Sequence, residues 1–108
     1  MNNVIQTVYN TILERRAHPV EGSYTRYLFD QGLDKILKKV GEECAETLIA
    51  AKNGNNPETV GEIADLTYHL LVLMAAQGIA PGDVGQLLEE RHNKSGNLKN
   101  IKNVNKNT

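Results

Sequence analysis

The chain has 108 residues, of which 12 are basic and 13 acidic, with a net charge of −1 and a single cysteine. That length supports one small domain with a limited core, which makes an oligomer a reasonable expectation, and the near-neutral charge excludes a general pull toward nucleic acid or membrane. One cysteine excludes an intrachain disulfide and a Cys-based zinc site. Met1-Asn2-Asn3 lacks the basic start of a signal peptide, and no uninterrupted apolar run approaches the roughly 18 residues of a membrane span, so the expectation is a cytoplasmic protein.

Val4, Ile5, Val8, Ile12 and Leu13 recur at helical spacing and predict a first helix from near Asn3 to Arg16, stopped by His18-Pro19. Glu21-Gly22-Ser23 is turn-like. The segment from Ser23 to Phe29 holds most of the aromatic residues and fits either a loop or a single helical turn. After Gly32, an apolar stripe of Leu33, Ile36, Leu37, Val40, Cys44 and Leu48 predicts a long helix to about Asn53, with Cys44 read as a small core residue. Asn53-Gly54-Asn55-Asn56-Pro57 supplies a C-cap and a helix start, and the next helix runs from Pro57 to about Gln77, closed by Gly78. Pro81 opens a last helix to about His92. No strand-like alternation interrupts the series, so the fold class is all-α, a bundle of four to five helices over residues 1–94. Residues 95–108, rich in asparagine and lysine, form a polar basic tail expected to be loosely ordered, with an anion-binding arm as the less favoured alternative.

Glu43-Cys-Ala-Glu46 and Glu62-Ile-Ala-Asp65 place an acidic pair, spaced i, i+3, on each of the two long helices. Residues three apart share one side of a helix, so each pair can present two carboxylates to one point. Both cross-pairs, Glu46 with Glu62 and Glu43 with Asp65, are centred on Gly54. An antiparallel hairpin turning there sets them at matching heights.

At about 100° per residue, the helix after Pro57 is apolar on most of its circumference, leaving one narrow polar strip of Glu58, Glu62, Asp65 and His69. Such a helix lies inside a bundle or an oligomer, so its acidic strip is expected to face a cleft. The competing reading is a solvated face with ion pairs. Lys39 can pair with Glu43, but no lysine or arginine lies between Pro57 and Gly78 to neutralise the strip. Crowded carboxylates raise one another's pKa values, and a divalent cation relieves them. All-oxygen ligation suits Mg²⁺, with Mn²⁺ a substitute, and such a site takes substrate phosphates as further ligands. Lys35 and Lys39, with Lys38 to the side and Arg26 before them, are candidate phosphate contacts. Ser23, Tyr24 and Thr25 either donate to phosphate or ribose or cap a helix. His69, four residues beyond Asp65, can hydrogen-bond a ligand carboxylate or stand as a satisfied buried histidine.

Ser23-Tyr24-Thr25, Leu28-Phe29, Gly32, Lys35-Ile36, Lys38-Lys39-Val40-Gly41-Glu42-Glu43, Glu46, Ala50-Ala51-Lys52, Glu62, Ala64-Asp65-Leu66 and Tyr68-His69-Leu70 resemble the phosphoribosyl-ATP pyrophosphatases of histidine biosynthesis, over about residues 5 to 92. These are a branch of the MazG-like all-α nucleotide pyrophosphohydrolases, whose signature is E-x-x-E, a spacer, then E-x-x-D. The resemblance implies hydrolysis of phosphoribosyl-ATP to phosphoribosyl-AMP and pyrophosphate, Glu43, Glu46, Glu62 and Asp65 as Mg²⁺ ligands, Glu42 in a supporting or water-orienting role, and a homodimer. A fused cyclohydrolase domain, present in many relatives, is not expected here. A house-cleaning pyrophosphatase of free nucleotides and a non-catalytic helical dimerisation module are the other readings.

Overall fold

A computed structural model describes residues 2–94. The expectation for residues 95–108 therefore lies outside the described residues. Five helices follow one another, α1 Asn2–Ala17, α2 Tyr24–Gln31, α3 Leu33–Lys52, α4 Asn56–Gln77 and α5 Pro81–His92, and no strand occurs among the described residues. The fold is all-α.

Local chemistry sets the boundaries. Ser23 caps α2 by accepting the Arg26 N–H at 3.2 Å, so the aromatic segment is an eight-residue helix rather than a loop. Gly32, at φ 95°, ends α2 with its N–H on the Leu28 carbonyl (3.1 Å) and starts α3 by accepting the Ile36 N–H (3.2 Å). Between α3 and α4 only Asn53, Gly54 and Asn55 intervene. Gly54 takes the left-handed conformation, and the Asn55 side chain accepts the Glu58 N–H at 3.0 Å. Gly78 closes α4, donating to the Ala75 carbonyl while the Ile79 N–H reaches the Met74 carbonyl at 2.8 Å.

The α3–α4 hairpin is the most extensive packing in the chain; α1 lies on α4, α2 bridges α1 and α3, and α5 touches α1 lightly. Tyr9, Ile12, Leu28, Ile36, Leu71, Val72 and Ala75 form the core, where α1 and α2 cover one end of the hairpin. Burial of such side chains contributes roughly 1.5–3 kcal/mol each before the entropy cost of ordering them. Two polar contacts hold α1 in place: the Tyr9 hydroxyl donates to the Ile79 carbonyl at 2.7 Å, and Arg16 Nη1 donates to the Ala75 carbonyl at 2.6 Å.

The expected inward stripe of α3 is corrected by the structure. The buried residues of α3 are Ile36, Glu43 and Ala50, whereas Leu33, Leu37, Cys44 and Leu48 are exposed. Cys44 is thus not a core residue. The cause is the hairpin's geometry: only one side of α3 meets α4 and α2, and the apolar stripe is rotated toward the uncovered side. By length and composition alone α4 is apolar enough to cross a membrane, although no uninterrupted apolar run reaches that length. Glu62 and Asp65 interrupt its apolar sequence, and α4 is the helix on which α1 and α3 pack.

Candidate active site

The three-residue turn brings the acids of α3 and α4 together. Carboxylate oxygens of Glu43, Glu62 and Asp65 lie within 4.8 Å of one another. Glu43 is buried, Glu62 half-buried and Asp65 exposed, so the group opens outward from the hairpin. Glu43 Oε1 and Glu62 Oε1 are both shielded from solvent and have no hydrogen-bond partner among the described residues. Orphaned buried carboxylate oxygens are costly, and two facing each other call for a shared cation or a shared proton. Desolvation first, then the approach of the Glu43 and Glu46 carboxyls, push Glu62 up to about 7. Glu46 itself is exposed and reaches the group through Glu62, outside the close trio.

One cation edges this cluster. Lys39 Nζ sits 3.3 Å from Glu42 Oε1 and 3.7 Å from Glu43 Oε2. Burial lowers the Lys39 pKa, but the hydrogen bond with Glu42 and the charge of its other neighbours outweigh it, and the ammonium is held above its ordinary range. Glu42, the supporting candidate, is therefore engaged at the margin of the group rather than inside it. Among the described residues a single ammonium is paired with these carboxylates, which leaves a strong negative excess, and the donor set suits a hard divalent ion.

Helix α2 covers one flank. Tyr24 Oη lies 2.8 Å from His69 Nε2, and His69 Nδ1 lies 2.7 Å from the Asp65 carbonyl oxygen. The partner of His69 is thus the Asp65 backbone and not its carboxylate, which corrects that part of the expectation. Thr25, buried, is hydrogen-bonded to the Tyr68 hydroxyl, and the Tyr24, Tyr68 and His69 rings pack edge to face or tilted. Burial pushes the Tyr24 phenol up, against the pull of the nearby Lys39 ammonium.

Beyond Tyr24 opens a cleft of about 400 Å³ lined by Gly22, Ser23, Tyr24, Arg26, Tyr27 and Asp30. Arg26 Nε is 3.3 Å from Asp30 Oδ2, both partly exposed, and Lys35 Nζ lies 5.7 Å from the centre of the Tyr27 ring. Lys38 is exposed on α3 and lines neither feature. The sequence reading did not single out Tyr27, Asp30 or Tyr68; Tyr68 adjoins His69 in one run, but its pairing with Thr25 spans 43 positions and has no local signal.

Fold and site together give an all-helical chain whose two long helices carry the acids of an E-x-x-E and an E-x-x-D pair. A family model described as "Phosphoribosyl-ATP pyrophosphohydrolase" matches residues 5–92. The chain is 54% identical over 99 residues to the phosphoribosyl-ATP pyrophosphatase of Clostridium botulinum, covering 92% of this chain and 90% of that one. It is 58% identical over 94 residues to that of Pelotomaculum thermopropionicum, covering 86% and 96%. It also aligns at 50% identity with the histidine biosynthesis bifunctional protein HisIE of Lactococcus lactis, spanning 91% of this chain and 46% of that longer one. The chain belongs to the phosphoribosyl-ATP pyrophosphohydrolase family and is a hydrolase of histidine biosynthesis.

Proposed function

We propose that the chain hydrolyses phosphoribosyl-ATP to phosphoribosyl-AMP and pyrophosphate at the α3–α4 acids, with Mg²⁺ as the working ion and Mn²⁺ as a substitute. The observation that carries this reading is the pair of buried, partnerless oxygens Glu43 Oε1 and Glu62 Oε1, with Asp65 within 4.8 Å. Glu43, Glu62 and Asp65 would hold the ion, with Glu46 joining through its contact with Glu62. Once bound, the ion neutralises phosphate charge and lowers the pKa of a coordinated water.

The chain's own groups do the rest. Lys39, already drawn to the acids, offers its remaining N–H donors to a phosphate oxygen as negative charge moves toward the departing pyrophosphate. Glu42, tethered to Lys39, is the supporting residue that orients water at the edge of the group. Tyr24 stands between acids and cleft, while Arg26 and Lys35 place further cations by the cleft and Lys38 remains a peripheral candidate. Ser23 and Thr25 act chiefly by building α2, through the cap and the contact to Tyr68.

A homodimer fits the surface left open. Leu48 is 70% and Val60 66% exposed, with Leu33, Leu37, Ile49 and Ile63 also exposed on the same hairpin. Apolar surface of that extent on a small domain marks an interface. A cytoplasmic setting accords with this reading. The test is pyrophosphate release from phosphoribosyl-ATP beside ATP and dCTP, with and without Mg²⁺: Mg²⁺-dependent release from phosphoribosyl-ATP in preference is expected, and equal turnover of all three overturns the substrate assignment.

A further inference from the structure

Tyr24 belongs to two features at once. It is part of the cleft wall with Arg26 and Tyr27, and its hydroxyl is bonded to His69. His69 is 5% exposed and stands one turn after Asp65 on α4. The Asp65 carbonyl can only accept, so Nδ1 carries the N–H toward it, and in the Nδ1–H tautomer the Tyr24 hydroxyl donates to Nε2. The result is a continuous line of hydrogen bonds from the cleft wall, through His69, to the residue whose carboxylate belongs to the acidic trio. The neighbouring Thr25–Tyr68 contact ties the same two helices one position along.

This geometry bears on which nucleotide is chosen. Phosphoribosyl-ATP differs from ATP by one phosphorylated ribose. With the triphosphate at the acids, a second charged end lying past Tyr24 meets the Arg26 guanidinium, competing there with Asp30 at 3.3 Å, and the Lys35 ammonium beside Tyr27. ATP has no group to put there. Resting on the function proposed above, we infer that His69 is a positioning residue: it fixes Tyr24, and with it the cleft, in register with the acids, so that phosphoribosyl-ATP is favoured over ATP.

The experiment compares wild type, Tyr24→Phe, His69→Gln and His69→Leu in saturating Mg²⁺, measuring kcat and KM for phosphoribosyl-ATP and the inhibition constant of ATP as a competitor, with thermal melts alongside. In Tyr24→Phe, which keeps the ring and loses one hydrogen bond, KM for phosphoribosyl-ATP rises about tenfold while the ATP constant moves less than about threefold. His69→Gln, which keeps an acceptor near the same reach, retains more selectivity than His69→Leu. If both constants rise in proportion, or neither changes in Tyr24→Phe, the positioning role is overturned, and Tyr24→Phe decides alone should His69→Leu fail to fold. A wild-type protein that releases no pyrophosphate from phosphoribosyl-ATP overturns the functional reading itself, and this inference with it.

Discussion

Glu43 and Glu62 face each other across the α3–α4 hairpin, each with one carboxylate oxygen buried and unmet. The two carboxyls crowd each other, and helix packing holds them there with only the Lys39 ammonium, 3.7 Å from Glu43 Oε2, offsetting the charge among the described residues. A site strained in this way is stabilised by whatever neutralises it, and that gives the first test.

Replacing Glu62 with Gln removes one charge while keeping shape and an acceptor. Turnover of phosphoribosyl-ATP is expected to fall by about 10²-fold or more, as for loss of a group that acts on developing charge. The metal-free variant should melt no lower than wild type, since a repulsion has been removed. Steady-state pyrophosphate release and a thermal melt check both; full activity in Glu62→Gln would sink the metal assignment.

The pH dependence of stability follows from the same carboxyl. Its folded pKa, about 7, lies above the ordinary value of 4.5, so between these values the folded state binds more protons than the unfolded state. This contribution is fully present below 4.5 and is lost as pH rises through about 7. Metal binding needs the ionised form and so strengthens over the same interval. Melting curves at about pH 5 and about pH 8, with and without MgCl₂, should therefore show a Mg²⁺-induced stabilisation that is small at the lower pH and larger at the higher. A Mg²⁺ effect independent of pH contradicts it.

Asn55 tests the turn that sets the register. Its side chain accepts the Glu58 N–H at 3.0 Å, and Asn55→Ala should cost about 1 kcal/mol in urea unfolding. Asn55→Asp, which keeps the acceptor and complements the helix N-terminus, should cost less. Equal losses in the two variants would place the effect elsewhere.

The uncovered face of the hairpin makes a prediction about assembly. Leu48→Glu puts a charge at the most exposed of its large apolar side chains, and sedimentation velocity should show a shift from dimer to monomer while the helical circular dichroism remains. A wild-type protein that sediments as a monomer at all concentrations removes the dimer from the reading.

Much of this molecule was legible because its signals are local. The bounds of α3, α4 and α5 fall within about a residue of those expected from Gly32, the Asn53–Asn55 turn, Gly78 and Pro81, each of which acts through the backbone groups beside it. Spacing about Gly54 anticipated that acids of α3 and α4 would meet, but it paired Glu46 with Glu62, whereas the close group is Glu43, Glu62 and Asp65 with Glu46 outside it. By contrast, α2 was ambiguous because two turns are too few for periodicity to declare itself, and only the Ser23 cap and its packing decide. Cys44 was misplaced for a different reason: hydrophobicity reports that a side chain avoids water, not whether its own chain or a second copy covers it. The His69 link to the Asp65 carbonyl was similarly hidden, since a helix i, i+4 pair reads the same whether the acid offers its side chain or its backbone.

The brevity of the turn at Asn53–Asn55 governs which length changes a lineage of such proteins can absorb. One residue added between Glu46 and Lys52 turns everything before it by about 100° relative to α4 and carries Glu43 away from Glu62. One residue added within the turn lengthens a connection whose flanking caps still fix where each helix ends and begins. Deletions and insertions should therefore be tolerated according to helical phase rather than distance from the acids.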